Sequence, residues 1–267
     1  MKKLLAAATL ILAMTATQSF GFTLGGYQGP VELKFAGVTS SQDTTYLPQG
    51  ETWGIISLNA ATDGFNNLWS ATAGDYVYGM IYGLYDVAAY SNLTNGFTIE
   101  QAGGAFALYA TSTPINFATL SPSGRTAIDQ FSGVTNGTLL FAGNFSPGIL
   151  PSSKNDPTVV QDVTSIQSPA NGKGAGYGDI DPTKGGTAAD TFDSNTVFDP
   201  ANILASTHDL FFQFTVGLYN GTQGWSQDIN DPASGAAVPE PGTIVLLGLG
   251  MFGLAIYGKR RIDQKAA

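Results

Sequence analysis

Apolar and polar residues alternate with a period of two along much of this chain. Val31, Leu33 and Phe35 alternate with Glu32 and Lys34. Phe106, Leu108 and Ala110 alternate with Ala105, Ala107 and Tyr109, and Phe212, Phe214 and Val216 with Phe211, Gln213 and Thr215. Successive side chains of a strand point to opposite faces, so each run predicts a strand with one face in a core. Residues 53–58, 76–86 and 138–145 add apolar runs of strand length. Between the runs stand Asp63-Gly64, Asn95-Gly96, Ser123-Gly124, Asn136-Gly137 and Asn220-Gly221, the chemistry of tight turns. No helical period exceeds two turns; residues 126–131 and 201–207 are the best single-turn candidates. Short strands joined by such turns predict an all-β domain, a single jelly-roll-like β-sandwich over residues 22–220.

Two stretches depart from the pattern. Residues 147–200 hold six of the thirteen prolines and few large apolar side chains. They read as a long, irregular, acidic excursion from the sandwich. Residues 221–237 are small and polar and read as a linker.

The two ends differ from the body. Lys2 and Lys3 precede an apolar run over residues 4–14, and small or polar residues follow to Gly21. That order predicts a secretory signal peptide over residues 1–21, with Ser19 and Gly21 suited to the cleavage positions and Ala16 an alternative. At the other end, Val238-Pro239-Glu240-Pro241 leads into an uncharged stretch, residues 242–258, and then Lys259, Arg260 and Arg261. At 1.5 Å per residue such a helix is about 25 Å long, at the short end of the spanning range. The basic cluster predicts a cytoplasmic C-terminus and an exported body.

A Pro-Glu-Pro triplet, a Gly- and Leu-rich helix and a terminal Lys/Arg cluster resemble the PEP-CTERM protein-sorting signal. The resemblance covers residues 238–267, about a tenth of the chain. It implies recognition by an exosortase, a membrane transpeptidase of Gram-negative bacteria that make exopolysaccharide. Cleavage would fall near Pro239, Glu240 and Pro241 and discard the helix. Before cleavage the chain would be a single-pass membrane precursor. Afterwards it would be displayed at the cell surface or released into the extracellular matrix.

Charge counting sharpens the body. The chain has 20 acidic and 11 basic residues, a formal net charge of −9. Removing Glu240 and Asp263 leaves 18 acidic residues, and removing Lys2, Lys3, Lys259, Arg260, Arg261 and Lys265 leaves five basic ones, so the exported body carries −13. A body this acidic argues against a nucleic-acid partner and favours divalent cations. There is no cysteine, which removes disulfides, thiolate metal sites and cysteine nucleophiles. The 34 glycines, nearly double average usage, disfavour a helix bundle.

Three sets of residues are candidates for chemistry. Asp179, Asp181, Thr183 and Asp190 fall at positions 1, 3, 5 and 12 of an EF-hand-like loop, a spacing that could place hard oxygen ligands around Ca²⁺. Lys184 at the glycine position, Pro182 and the short Asp190 depart from that pattern, and a solvated acidic loop is the plainer reading. Tyr76, Tyr78 and Tyr82 share one strand face and could stack on sugar rings, although such a row more often packs within a sheet. The one histidine, His208, beside Asp209 and near Ser206, makes no triad by spacing alone and reads as a sheet-edge or surface residue. No catalytic residues are expected, and calcium is the single candidate cofactor. The body is expected to be a structural or interaction protein linked to exopolysaccharide or biofilm. A calcium-dependent carbohydrate-binding module is the first alternative and a secreted glycan-acting enzyme the second.

Overall fold

The computed structural model describes residues 22, 24, 27–87, 97–150, 153, 155–165, 171–198, 207–219 and 221–237. The expected signal peptide, the Pro-Glu-Pro triplet, the span 242–258 and the basic cluster lie outside the described residues. No helix among the described residues is long and apolar enough to cross a membrane.

Fourteen strands follow one another: β1 (Gly29–Asp43), β2 (Glu51–Thr62), β3 (Asn67–Ser70), β4 (Tyr76–Asp86), β5 (Phe97–Thr111), β6 (Arg125–Ala127), β7 (Gln130–Phe131), β8 (Thr138–Ser146), β9 (Val159–Ser165), β10 (Asn171–Ile180), β11 (Val197–Phe198), β12 (Thr207–His208), β13 (Leu210–Leu218) and β14 (Gln227–Ala237). A four-residue helix, Ala189–Phe192, lies between β10 and β11. The predicted all-β class is correct.

The sandwich is not. Each long strand pairs antiparallel with the next, in the order β1, β2, β4, β5, β8 with β9, β10, β13 and β14. β14 then pairs with β1 from Gly29↔Ala237 to Thr39↔Gln227, closing an eight-stave up-and-down barrel. One stave is built from two pieces. β8 pairs with β5 over 105–110, and β9 pairs with β5 over 97–101, both antiparallel. Residues 147–158 separate the two pieces in sequence. Inward–outward alternation is the same in a sandwich and a barrel, so the periodicity could not separate them. Closure itself decides it, because β14 satisfies the edge that β1 would otherwise expose.

Two corrections follow. Residues 221–237 are not a linker; most of them form β14, a full wall strand. Residues 147–200 are not an irregular excursion, since they contribute β9 and β10. β10 escaped the apolar pattern because its inward positions are glycines: Gly172, Gly174, Gly176 and Gly178. A Cβ at Gly178 would sit 2.8 Å from both the Phe106 and Phe212 rings, and one at Gly174 would sit 2.2 Å from Phe214. Rings from neighbouring staves fill the space of the missing side chains. Phe106 meets Phe145 and Phe212 at centroid distances of 5.4 and 5.3 Å, and Phe145 meets Phe212 at 5.2 Å. Aromatic contacts of this kind add about 0.5–1.5 kcal/mol each beyond burial.

The barrel's two ends differ. At the end where β1 begins and β14 finishes, Phe192 of the short helix packs 5.1 Å from Phe141, and Phe22 bridges Phe192 and Trp69. This end is capped by apolar side chains. The polar-lined part of the lumen lies toward the opposite end.

Gly178→Val should destabilise the barrel by about 2–3 kcal/mol, because the branched side chain must displace two packed rings. Gly217→Ala on β13 meets nothing within 4 Å and should be close to neutral. Urea midpoints of the two variants decide it; equal midpoints would mean the rings do not depend on the glycine face.

Candidate functional site

Inside the barrel, the half toward the uncapped end is not filled. A cavity of about 70 Å³ lies between the wall strands and opens to solvent, about 710 Å³ in all with its mouth. Phe35, Ile56, Leu84, Phe145, Val216 and Ile229 make apolar walls. Its polar lining includes Thr39, Thr52, Gln101, Gln161 and Gln227. These five follow inward positions near the uncapped ends of β1, β2, β5, β9 and β14. Gln101 spends its amide N–H groups on Thr52 Oγ1 and Asp86 Oδ1, both at 2.9 Å. Thr39 Oγ1 donates to Gln227 Oε1 at 3.3 Å.

On the outer face a second core forms where residues 112–137, the crossover from β5 to β8, fold back over β1, β2 and β4. Val38, Trp53, Ile55, Tyr78 and Met80 from the wall meet Phe131 and Val134 from the crossover. Trp225 closes the cluster, edge-on to Trp53 at 5.1 Å, and donates from Nε1 to the Leu120 carbonyl. An ion pair lies within this cover. Arg125 Nη1 and Nη2 donate to the two oxygens of Glu51 at 2.9 and 2.8 Å, with side-chain exposures of 3% and 0%. The guanidinium stacks over Trp53 at 4.4 Å and Tyr46 at 4.7 Å. It also donates to the carbonyls of Ala127 and Ile128. Glu51 Oε1 accepts in addition from the N–H of Gly83, whose φ of 76° marks a bend in β4. Each guanidinium nitrogen and each carboxylate oxygen of this buried pair is therefore engaged, as such burial requires.

Asp43 completes the cluster, accepting from Trp53 Nε1 at 2.7 Å and from the Thr45 N–H. Burial pulls its pKa upward. Hydrogen bonds from Thr45 and Trp53 and the charge of Arg125 outweigh that pull and hold it below the usual aspartate value. Asp209, 1% exposed, behaves oppositely: burial lifts its pKa despite N–H donors from Asn195, Ile180 and Ser194.

The predicted site residues are placed as follows. Tyr76, Tyr78 and Tyr82 do share the outer face of β4, but the row is not an open platform. Tyr78 is buried, its hydroxyl accepting from the Ile115 N–H at 2.8 Å, and Tyr76 and Tyr82 are half-buried against the same cover. Burial raises the hydroxyl pKa of Tyr78 and Tyr82. The four calcium candidates are not gathered. Asp179 accepts from Ser146 Oγ and faces His208 Nδ1 at 3.0 Å. Asp181 caps its own turn, accepting from the Thr183 N–H and hydroxyl. Asp190 is exposed on the short helix. Among the described residues no three acidic or histidine side chains converge as a metal site. His208 is not a surface residue: it is buried and stacks on Tyr177 at 4.6 Å. The spacing reading missed Arg125. Its signal was available, since it is the sole arginine between residues 22 and 237.

The sorting candidate begins where the barrel ends. A model of the PEP-CTERM protein-sorting motif matches residues 237–261, starting at the last residue of β14. The chain carries a PEP-CTERM sorting signal. Pro239, Glu240 and Pro241 and the cluster Lys259, Arg260 and Arg261 all fall within the PEP-CTERM match, and their structure lies outside the described residues. No curated protein and no solved structure matches the chain. The PEP-CTERM motif therefore says how the protein is sorted, and the barrel's own chemistry must be read from its residues.

Two outcomes test the outer cluster. Arg125→Met leaves Glu51 buried without its counter-charge and should cost about 3–5 kcal/mol in urea unfolding. Adding Glu51→Gln, which keeps an acceptor for Gly83, should recover most of that loss; no recovery would mean that the guanidinium acts by packing alone. Asp43 with a lowered native pKa adds stability that is present above the ordinary aspartate value of about 3.9 and lost as pH falls through the native value. Asp43→Asn should therefore flatten the fall of melting temperature with acid below about pH 4. Parallel curves for variant and parent would contradict this.

Proposed function

We propose that this is an exported surface protein, cut by exosortase near Pro239-Glu240-Pro241, whose mature barrel serves a structural or interaction role in an exopolysaccharide matrix. The observation that carries the reading is the sorting motif joined without a linker to a closed all-β domain. The signal peptide read from Lys2, Lys3 and the apolar run supplies the export step, and the acidic body suits a hydrated, cation-rich polysaccharide environment. The barrel acts without catalysis and without a bound cofactor in this reading. Its buried Glu51 and Arg125 serve each other, and the carboxylates of Asp63 and Asp181 hold their own turns. Each is accounted for by folding.

Replacing Pro239, Glu240 and Pro241 by alanine in the host should leave an uncut precursor in the membrane fraction. Immunoblotting of membrane and extracellular fractions reads the result. A variant that is processed and distributed like the parent would overturn the reading.

A further inference from the structure

We propose that the lumen of the barrel is a binding site for a small, neutral, mainly apolar molecule carrying a hydroxyl or carbonyl group. The inference does not depend on the sorting motif. It starts from an asymmetry: aromatic rings fill the capped half of the barrel, whereas the other half keeps a cavity with apolar walls. An eight-stave barrel is just wide enough either to be filled by its own side chains or to hold one small ligand. Here it does the first at one end and the second at the other. The β10 glycines make room for rings that wall the cavity, a Cβ at Gly174 lying 2.2 Å from Phe214 and one at Gly176 3.6 Å from Phe145. Apolar cavities of modest size stay dry and take up apolar guests.

The polar groups define the guest further. None of the residues lining the cavity is charged. A carboxylate or an ammonium ion would enter without a counter-ion, at a cost that a neutral molecule avoids. Asp86 beside Gln101 adds to the penalty for anions, and both its oxygens are already engaged, one by Gln101 and the other by Gln42. Two lining glutamines, Gln101 and Gln227, are the reading heads. Gln101 has committed its N–H groups, so its carbonyl oxygen is what it offers a hydroxyl donor. Gln227 has committed its carbonyl to Thr39, so its N–H groups are what it offers an acceptor. A hydroxyl, which donates and accepts, satisfies both. At about 70 Å³ the void is smaller than the roughly 150 Å³ that takes benzene, so the guest is a short chain that runs out toward the mouth unless the walls move.

The test uses the full chain in lipid nanodiscs with labelled Ile, Leu and Val methyl groups, titrated with 1-hexanol, hexanoate, hexylammonium and pentane. Hexanol should shift the methyl signals of Ile56, Leu84 and Ile229 saturably and leave Ile55, on the outer face, unmoved. The two ions should bind at least about tenfold more weakly. Val216→Phe should fill the cavity and abolish the hexanol shifts, with the Ile55 signal reporting that the fold is retained. Gln227→Leu, a milder change, should weaken hexanol by about 2–10-fold and spare pentane, as loss of one hydrogen bond requires. Absence of saturable lumen shifts, equal binding of the ions, or unchanged hexanol binding in a folded Val216→Phe protein would each overturn the proposal. None of these results bears on exosortase processing, which the alanine replacement reads separately.

Discussion

The bidentate pair of Arg125 with Glu51 holds the outer architecture in register. A closed barrel protects its own edges, but its outer face still exposes Val38, Trp53, Ile55 and Met80 over β1, β2 and β4. The crossover 112–137 covers them, and it has little regular structure with which to fix its position. Arg125 fixes it by reaching Glu51 through two parallel hydrogen bonds and lying flat between Tyr46 and Trp53. Desolvating both charges consumes much of what their attraction supplies. The pair thus contributes position more than net stability. A fork of donors fits one carboxylate orientation, which greasy contacts alone would not impose. The same carboxylate takes the Gly83 amide, so the bend in β4 and the crossover share one anchor.

Much of the wall was legible in the sequence, and the reason is local. β4 runs over residues 76–86 as the pattern predicts, because branched and aromatic residues on a two-residue period leave few alternatives. β10 and β14 were not legible. Their inward faces are built from Gly172, Gly174, Gly176 and Gly178 and from Ala233, Gly235 and Ala237, which carry almost no hydrophobic signal of their own. These strands are specified by what packs into them: Phe106, Phe145, Phe212 and Phe214 lie on other staves. Small residues opposite large ones keep interior volume nearly constant, and a window on one strand sees only half of that complementarity. Missing these two strands hid closure, and hiding closure made a barrel look like a sandwich.

The candidate chemistry divides along the same line. The sorting signal was readable because its elements are contiguous and its order is its meaning. The tyrosine row was placed on the correct face, but its cover comes from a crossover some thirty to forty residues downstream in sequence, about which a strand pattern says nothing. His208, beside Asp209, reads from the sequence as a sheet-edge or surface residue. Each is buried by its partners instead, Tyr177 and Asp179 for one and the amides of Ile180, Ser194 and Asn195 for the other. Thr39, Thr52, Gln101, Gln161 and Gln227 lie on five different staves and come to line one cavity only because the barrel closes.

The last stave has a consequence for handling at the membrane. Ala237 is still paired with Gly29, and Pro239 follows two residues later, at most about 7 Å of extended chain. A protease that reads the triplet must therefore work within touching distance of a folded rim, or else peel β14 from β1 and open the cylinder it is releasing. Chain entry and exit both lie at the capped end. Any surface to which the protein is fastened through its C-terminus consequently faces the plugged base, and the hollow end is held outward like a cup standing on its foot.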